Sequence, residues 1–99
     1  MIDVSPNHIE TVLGILARHV PECEARIFGS RFSGTAKRYS DLDIALVGRE
    51  KLDWRVMAAI KEEFQESELA FRVDILDWNA LSAEFRKAIE ESGYQVLHQ

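Results

Sequence analysis

The residues from 27 to 46, with the sequence IFGSRFSGTAKRYSDLDIAL, constrain the fold of this 99-residue chain more than any other stretch. The stretch opens with a short apolar run, breaks at Gly29 and Ser30, and passes a second glycine at Gly34. It then enters another apolar run through Asp41 and Asp43. Small turn-forming residues between two apolar runs are typical of a connection between strands. The stretch therefore predicts one strand, a tight turn with a polar loop, and a second strand.

Two aspartates stand one residue apart at the start of the second predicted strand, Asp41 and Asp43. Alternate residues of a strand share a face and lie about 6–7 Å apart, so the two carboxylates point together. The opposite face of the strand then points into the core and carries Leu42, Ile44 and Leu46. Neighbouring carboxylates repel each other unless a cation lies between them. Because carboxylate oxygens suit Mg²⁺, which completes its shell with water and substrate phosphate, the spacing predicts a metal site.

The turn before this strand has the composition of a phosphate-binding turn. Gly29 lets a ligand approach the backbone closely, and Ser30 offers a hydroxyl and an N–H group. Arg31 follows directly and is a candidate to assist with the phosphate charge. Taken with the aspartates, the residues predict that a phosphate and a divalent metal ion meet here.

Length and charge limit the classes of protein to which the chain can belong. Ninety-nine residues predict a single domain over 1–99, with one core. The formal net charge of −5 argues against non-specific binding of nucleic acid, which relies on a basic surface. No apolar run is long enough to span a membrane and no signal peptide is visible, so we expect no membrane association and a cytoplasmic location.

The remaining pattern predicts four strands alternating with three long helices. A helix capped by Ser5 ends before Pro21, and one capped by Asp53 runs to about Glu66. The other predicted elements are strands over 24–28, 42–47, 71–76 and 94–97, a helical turn over 31–35 and a helix over 80–92. Trp54 belongs to a stripe of residues three or four apart, which favours a core position over an exposed stacking surface. The expected fold class is α+β, a mixed sheet of about four strands backed by helices on one face.

The central stretch resembles the signature of the DNA polymerase beta-like nucleotidyltransferase superfamily. The matching residues are Gly29-Ser30-Arg31, Gly34 and Ser40-Asp41-Leu42-Asp43. Within that superfamily the chain is most similar to the minimal nucleotidyltransferases of prokaryotes, the MNT domains, over essentially its whole length. The family pattern includes a third carboxylate on a neighbouring strand, and Asp74 in the run Arg72–Leu76 matches it. A local alternative is that Arg72 and Asp74 simply pair on an exposed sheet face.

The resemblance implies a specific set of roles. Asp41, Asp43 and Asp74 would be catalytic and would hold two Mg²⁺ ions, while Gly29, Ser30 and Arg31 would bind the phosphates of ATP or another NTP. The reaction implied is transfer of a nucleoside monophosphate, AMP being favoured, to an acceptor hydroxyl. Minimal nucleotidyltransferases commonly pair with a helical HEPN protein, and in several toxin–antitoxin pairs the MNT antitoxin adds AMP to a tyrosine of its partner.

Two other functions fit the sequence. The chain could neutralise or scaffold a HEPN partner by binding alone, or it could sense an NTP without transferring any part of it. A decayed site usually lacks one of its acids or the Gly-Ser pair, and here all of them are present. The complete set therefore favours the enzyme. The choice of NTP, the acceptor and the oligomeric state are not encoded in any pattern recognised in the sequence.

Overall fold

The computed structural model describes residues 2–97. The chain order is α1, β1, α2, β2, α3, β3, a 3-10 turn, α4 and β4. The helices are α1 Pro6–His19, α2 Ser30–Ser33, α3 Trp54–Glu66 and α4 Ala83–Ser92; the 3-10 turn is Trp78–Ala80; the strands are β1 Glu24–Phe28, β2 Leu42–Val47, β3 Val73–Asp77 and β4 Gln95–Leu97.

The four strands form one mixed sheet in the order β3-β2-β1-β4. The β1 strand pairs antiparallel with both β2 and β4, and the connection through α3 makes β2 and β3 parallel. A parallel connection of this kind needs a crossover, which α3 provides. The predicted fold class, a mixed four-stranded sheet with helices, is confirmed.

The core lies between one face of the sheet and the two long helices α1 and α3. Alternation in β1 and β2 directs Ile27, Ile44 and Leu46 into it, and each of these side chains is fully buried. The apolar faces of the helices complete the core with Val12, Leu16, Ile60 and Phe64. On the opposite face Ala45 is also buried, but Asp43 and Asp74 stay partly exposed, so the part of that face that carries these acids remains available to a ligand.

Helix boundaries follow the capping residues. Side chains of Ser5, Asp53 and Ser82 accept hydrogen bonds from the first turns of α1, α3 and α4, which satisfies amides that a helix leaves unpaired. Ser82 corrects one prediction, since the last helix begins at Ala83 and not at residue 80. Asp77 caps the preceding 3-10 turn by accepting a hydrogen bond from the backbone amide of Asn79.

Trp54 is also corrected by the structure, because its side chain is 72% exposed. It is the first residue of α3, and the buried residues of this helix, Ile60 and Phe64, lie further along it. Helical spacing places Trp54 on the correct face, but that face is not covered at the helix end. The third strand likewise begins two residues later than predicted, at Val73. No helix in the described part of the chain is long and apolar enough to cross a membrane.

Candidate active site

Sheet register brings the predicted carboxylates together on the open face. In the parallel pair of β2 and β3, Asp43 lies directly opposite Asp74. Phe28 of β1 lies opposite Asp43 on its other side. Asp41 precedes β2 by one residue and is therefore two residues from Asp43. The three acids, which come from separate parts of the sequence, thus form one cluster, which we call the carboxylate row.

The turn at Gly29 lies directly against this row. Gly29 has φ 76° and ψ −155°, a conformation that is essentially restricted to glycine. A Cβ atom at position 29 would overlap Oδ2 of Asp43 and lie 3.3 Å from its Cγ. Gly29 is thus required for two reasons, its backbone conformation and the close approach of the Asp43 carboxylate. The next residue, Ser30, begins α2, and its hydroxyl has no hydrogen-bond partner within residues 2–97.

The electrostatics of the carboxylate row centre on Asp43. Partial burial raises the pKa of Asp43, and the charges of Asp74 and Asp41 raise it further. Arg72 opposes these effects, and its Nε lies 3.7 Å from Oδ2 of Asp41. This ion pair differs from the pairing of Arg72 with Asp74 that the sequence left open. The side chains of Arg72 and Asp41 are both largely exposed, so their ion pair compensates the negative charge of the carboxylate row only weakly.

The donor set of the row suits a hard divalent cation. It consists of carboxylate oxygens, and burial together with the neighbouring charges of Asp74 and Asp41 raises the pKa of Asp43, an effect that a bound cation would oppose. Within residues 2–97 no three acidic, histidine or cysteine side chains already converge on a single point. The row therefore fits Mg²⁺ by the chemistry of its oxygen atoms, and Asp41, Asp43 and Asp74 are the residues that would hold the ion.

Arg31 has a different environment from the one that was predicted. Its side chain is 6% exposed, and its guanidinium donates to three backbone carbonyl groups. Nε donates to Ser40 at 2.9 Å, Nη1 to Asp3 at 2.8 Å and Nη2 to Arg38 at 3.3 Å. The group also stacks on Phe71, 4.2 Å from the ring centre. Arg31 thus anchors the loop that leads to Asp41, and its guanidinium is engaged by these carbonyl groups and by the Phe71 ring.

Replacing Arg31 by alanine is expected to lower the free energy of unfolding by about 2–4 kcal/mol, because three carbonyl groups lose a buried donor. Urea unfolding measures the change. The matched control is Arg38→Ala, since that side chain is exposed and should change stability by less than about 0.5 kcal/mol. An Arg31→Ala protein of unchanged stability but weakened ATP binding would restore the predicted phosphate role.

An aromatic cluster on the open face was not recognised in the sequence. The Arg26 guanidinium lies between the rings of Trp78 and Tyr94, 4.8 Å and 4.5 Å from their centres. Phe28 and Phe85 meet edge to face, with ring centres 6.4 Å apart. These residues come from β1, the 3-10 turn, α4 and the residue before β4, so no local pattern links them. They form the wall of the open face on the β1 side of the carboxylate row.

The strand order, the glycine turn and the crossover helix together define a nucleotidyltransferase fold of the polymerase beta type. The family model described as "Polymerase beta, Nucleotidyltransferase" matches residues 10–99, and the chain belongs to this family. The resemblance recognised in the sequence is thereby confirmed, and the protein is a nucleotidyltransferase.

Among individual relatives, the chain is 42% identical to the "Probable protein adenylyltransferase MntA" of Haemophilus influenzae, over 99% of this chain and 85% of the relative. A crystal structure of a toxin–antitoxin with AMP-PNP shares the fold, with TM-score 0.74 and 24% identity over 89% of this chain and 70% of that one. A structure of tri-AMPylated Shewanella oneidensis HEPN toxin in complex with MNT antitoxin also matches, with TM-score 0.67 and 20% identity over 91% of this chain and 68% of that one.

Proposed function

We propose that this protein transfers AMP from ATP to a tyrosine hydroxyl of a HEPN partner protein and thereby acts as the antitoxin of a toxin–antitoxin pair. The observation that carries the proposal is the contact between the Gly29 turn and Asp43, beside Asp74 on the next strand. A phosphate-binding turn against a row of carboxylates is the arrangement that metal-dependent nucleotidyl transfer requires. The H. influenzae relative, a probable protein adenylyltransferase, supports the choice of AMP and of a protein acceptor.

The nucleotide is held by the β1 side of the site. The backbone at Gly29 and the free hydroxyl of Ser30 bind the terminal phosphates, and the α-phosphate then lies over Asp43. Asp41, Asp43 and Asp74 would hold two Mg²⁺ ions, which would supply charge neutralisation at the phosphate oxygens and a lowered pKa of the attacking hydroxyl.

Asp74 is on the opposite side of Asp43 from the phosphate turn, which gives the reaction a direction. The acceptor oxygen approaches from the β3 side and forms a bond to the α-phosphorus. The bond from that phosphorus to the bridging oxygen of the β-phosphate breaks, and pyrophosphate leaves on the β1 side. Asp74 takes the acceptor proton. The acceptor oxygen thus attacks the α-phosphorus from the side opposite the leaving pyrophosphate, which is the in-line geometry of phosphoryl transfer.

The position of a radioactive label in ATP distinguishes this reaction from others. The purified chain is incubated with Mg²⁺ and ATP labelled at the α- or the γ-phosphate, together with the product of the neighbouring reading frame, here called the candidate partner. We expect label on the candidate partner from α-labelled ATP alone. Label from γ-labelled ATP would indicate a kinase, and absence of label despite a stable complex would favour neutralisation by binding.

A further inference from the structure

The β3 strand forms one edge of the sheet, since β2 is its only neighbour among residues 2–97. The Leu42 amide donates to the Arg72 carbonyl at 2.9 Å, so the backbone groups of residue 72 face β2. Backbone groups alternate in direction along a strand, and those of Val73 and Ile75 therefore point away from the sheet. An edge with unpaired N–H and C=O groups can accept another strand.

A groove follows this edge between β3 and α3. It consists of two adjoining cavities of about 470 and 570 Å³, which share Lys61 and Ile75 in their walls. The first cavity includes Asp74 in its lining, and the second extends to the exposed ring of Trp54. The groove is therefore continuous with the carboxylate row at one end and long enough to follow the whole of β3.

Two lysine side chains carry positive charge along the groove. Lys51 and Lys61 line it with exposed side chains and form no ion pair among residues 2–97, while Arg72, which also lines it, pairs with Asp41. Of its two acids, Asp77 accepts hydrogen bonds from the Leu52 and Asn79 amides, and Asp74 belongs to the carboxylate row at one end of the groove. In a chain of net charge −5, this local excess of cations complements an acidic ligand.

We infer that the edge of β3 binds the acceptor segment of the protein substrate as an added strand, acidic in composition and with its hydroxyl residue opposite Asp74. Strands pair about 4.8 Å apart, and directly opposed residues place their side chains on the same face. The residue paired with Asp74 thus presents its hydroxyl on the catalytic face, from the side opposite Gly29. Its two sequence neighbours point into the groove, where Lys61 lies between the two cavities. The inference rests on the proposed transfer and identifies how its acceptor is held.

Amide hydrogen exchange of the isotopically labelled chain tests strand addition directly. On saturation with the candidate partner, the Val73 and Ile75 amides should exchange at least about tenfold more slowly, because they gain hydrogen bonds. The Ile44 amide lies in the interior of the sheet and is the internal control. Unchanged exchange of Val73 and Ile75 in the complex would overturn the inference. Protection that depends only on the concentration of this chain would assign the edge to a second copy and would also overturn it.

Charge reversal tests the acidic composition of the segment. Lys61→Glu should raise the KM for the candidate partner at least about tenfold and leave the KM for ATP unchanged, because Lys61 lines the groove, whose walls do not include Gly29 or Ser30. Lys87→Glu makes the same change of net charge on α4, outside the groove, and is the matched control. Equal KM values for the two variants would contradict the proposed charge complementarity.

The two proposals can fail separately. Transfer of AMP by the wild-type chain without protection of Val73 and Ile75 would retain the function and reject strand addition. Protection of these amides without any transfer would retain the docking edge and reject the proposed chemistry.

Discussion

Asp43→Asn is expected to lower the rate of nucleotidyl transfer by about a thousand-fold or more, since it removes the central charge of the carboxylate row. Asparagine has nearly the same shape, and the register of β2 between β1 and β3 does not depend on the charge. The matched control is Asp53→Asn, at a helix cap where asparagine and aspartate are equivalent. Rates are measured with saturating ATP. Full activity of the Asp43→Asn protein would remove this residue from the site.

The same variant should be more stable than the wild type at neutral pH without metal. Burial and the charges of Asp74 and Asp41 raise the pKa of Asp43, so the fold favours its protonated form. This preference stabilises the fold fully at a pH below the pKa that Asp43 has in the unfolded chain. The stabilisation is lost as the pH rises through the pKa that Asp43 has in the folded protein. The Asp43→Asn protein should therefore melt a few degrees higher at pH 7, and the difference should disappear toward a pH of about 4.

Addition of Mg²⁺ should reverse the order of the two melting temperatures, so that the wild type melts higher than the Asp43→Asn protein. The ion binds only the folded wild type and raises its melting temperature, while the Asp43→Asn protein should show little response. Melting curves with and without Mg²⁺, at neutral and acidic pH, measure both effects. A response to Mg²⁺ that is equal in the two proteins would place the ion elsewhere.

Gly29→Ala is expected to lower activity by about a hundred-fold or more and stability by about 1–3 kcal/mol. The alanine Cβ would displace the Asp43 carboxylate, and the backbone at this position adopts a conformation that alanine strongly disfavours. Enzyme assays and urea unfolding of one protein preparation measure the two losses.

Gly34→Ala distinguishes the effect of backbone strain from the effect of a Cβ atom that displaces Asp43. Gly34 also has a positive φ, 83°, but a Cβ atom there would meet nothing within 4 Å. This substitution should lower stability by about 1–2 kcal/mol through backbone strain alone and leave activity close to that of the wild type. If both variants lost activity equally, general strain in the turn would account for the loss, and the contact with Asp43 would not.

The sequence predicted those parts of the structure that depend on local pattern. Alternation predicted the bounds and the two faces of β2, and the residues singled out around Gly29 and Asp43 do lie close together in the fold. Asp74 needed the family resemblance, because nothing near it in the sequence shows that β3 lies beside β2.

The features that could not be predicted depend on contacts between distant segments. Arg31 was expected at the phosphate, but the carbonyl groups of Asp3, Arg38 and Ser40 that hold it come together only in the fold. Trp54 has the spacing of a core residue, but it is the first residue of α3 and its side chain is exposed. Contacts between distant segments determine the environments of Arg31 and Trp54, and the hydrophobic periodicity of the sequence does not predict such contacts.

The central claim is tested most directly by the intact mass of the candidate partner after incubation with ATP, Mg²⁺ and this protein. We expect a gain of one or more AMP groups with the wild type and no gain with the Asp43→Asn protein. Peptide mapping should then place the modification on tyrosine. An unchanged mass with every NTP, in a sample where the two proteins form a stable complex, would contradict the transferase and identify a protein that acts by binding alone.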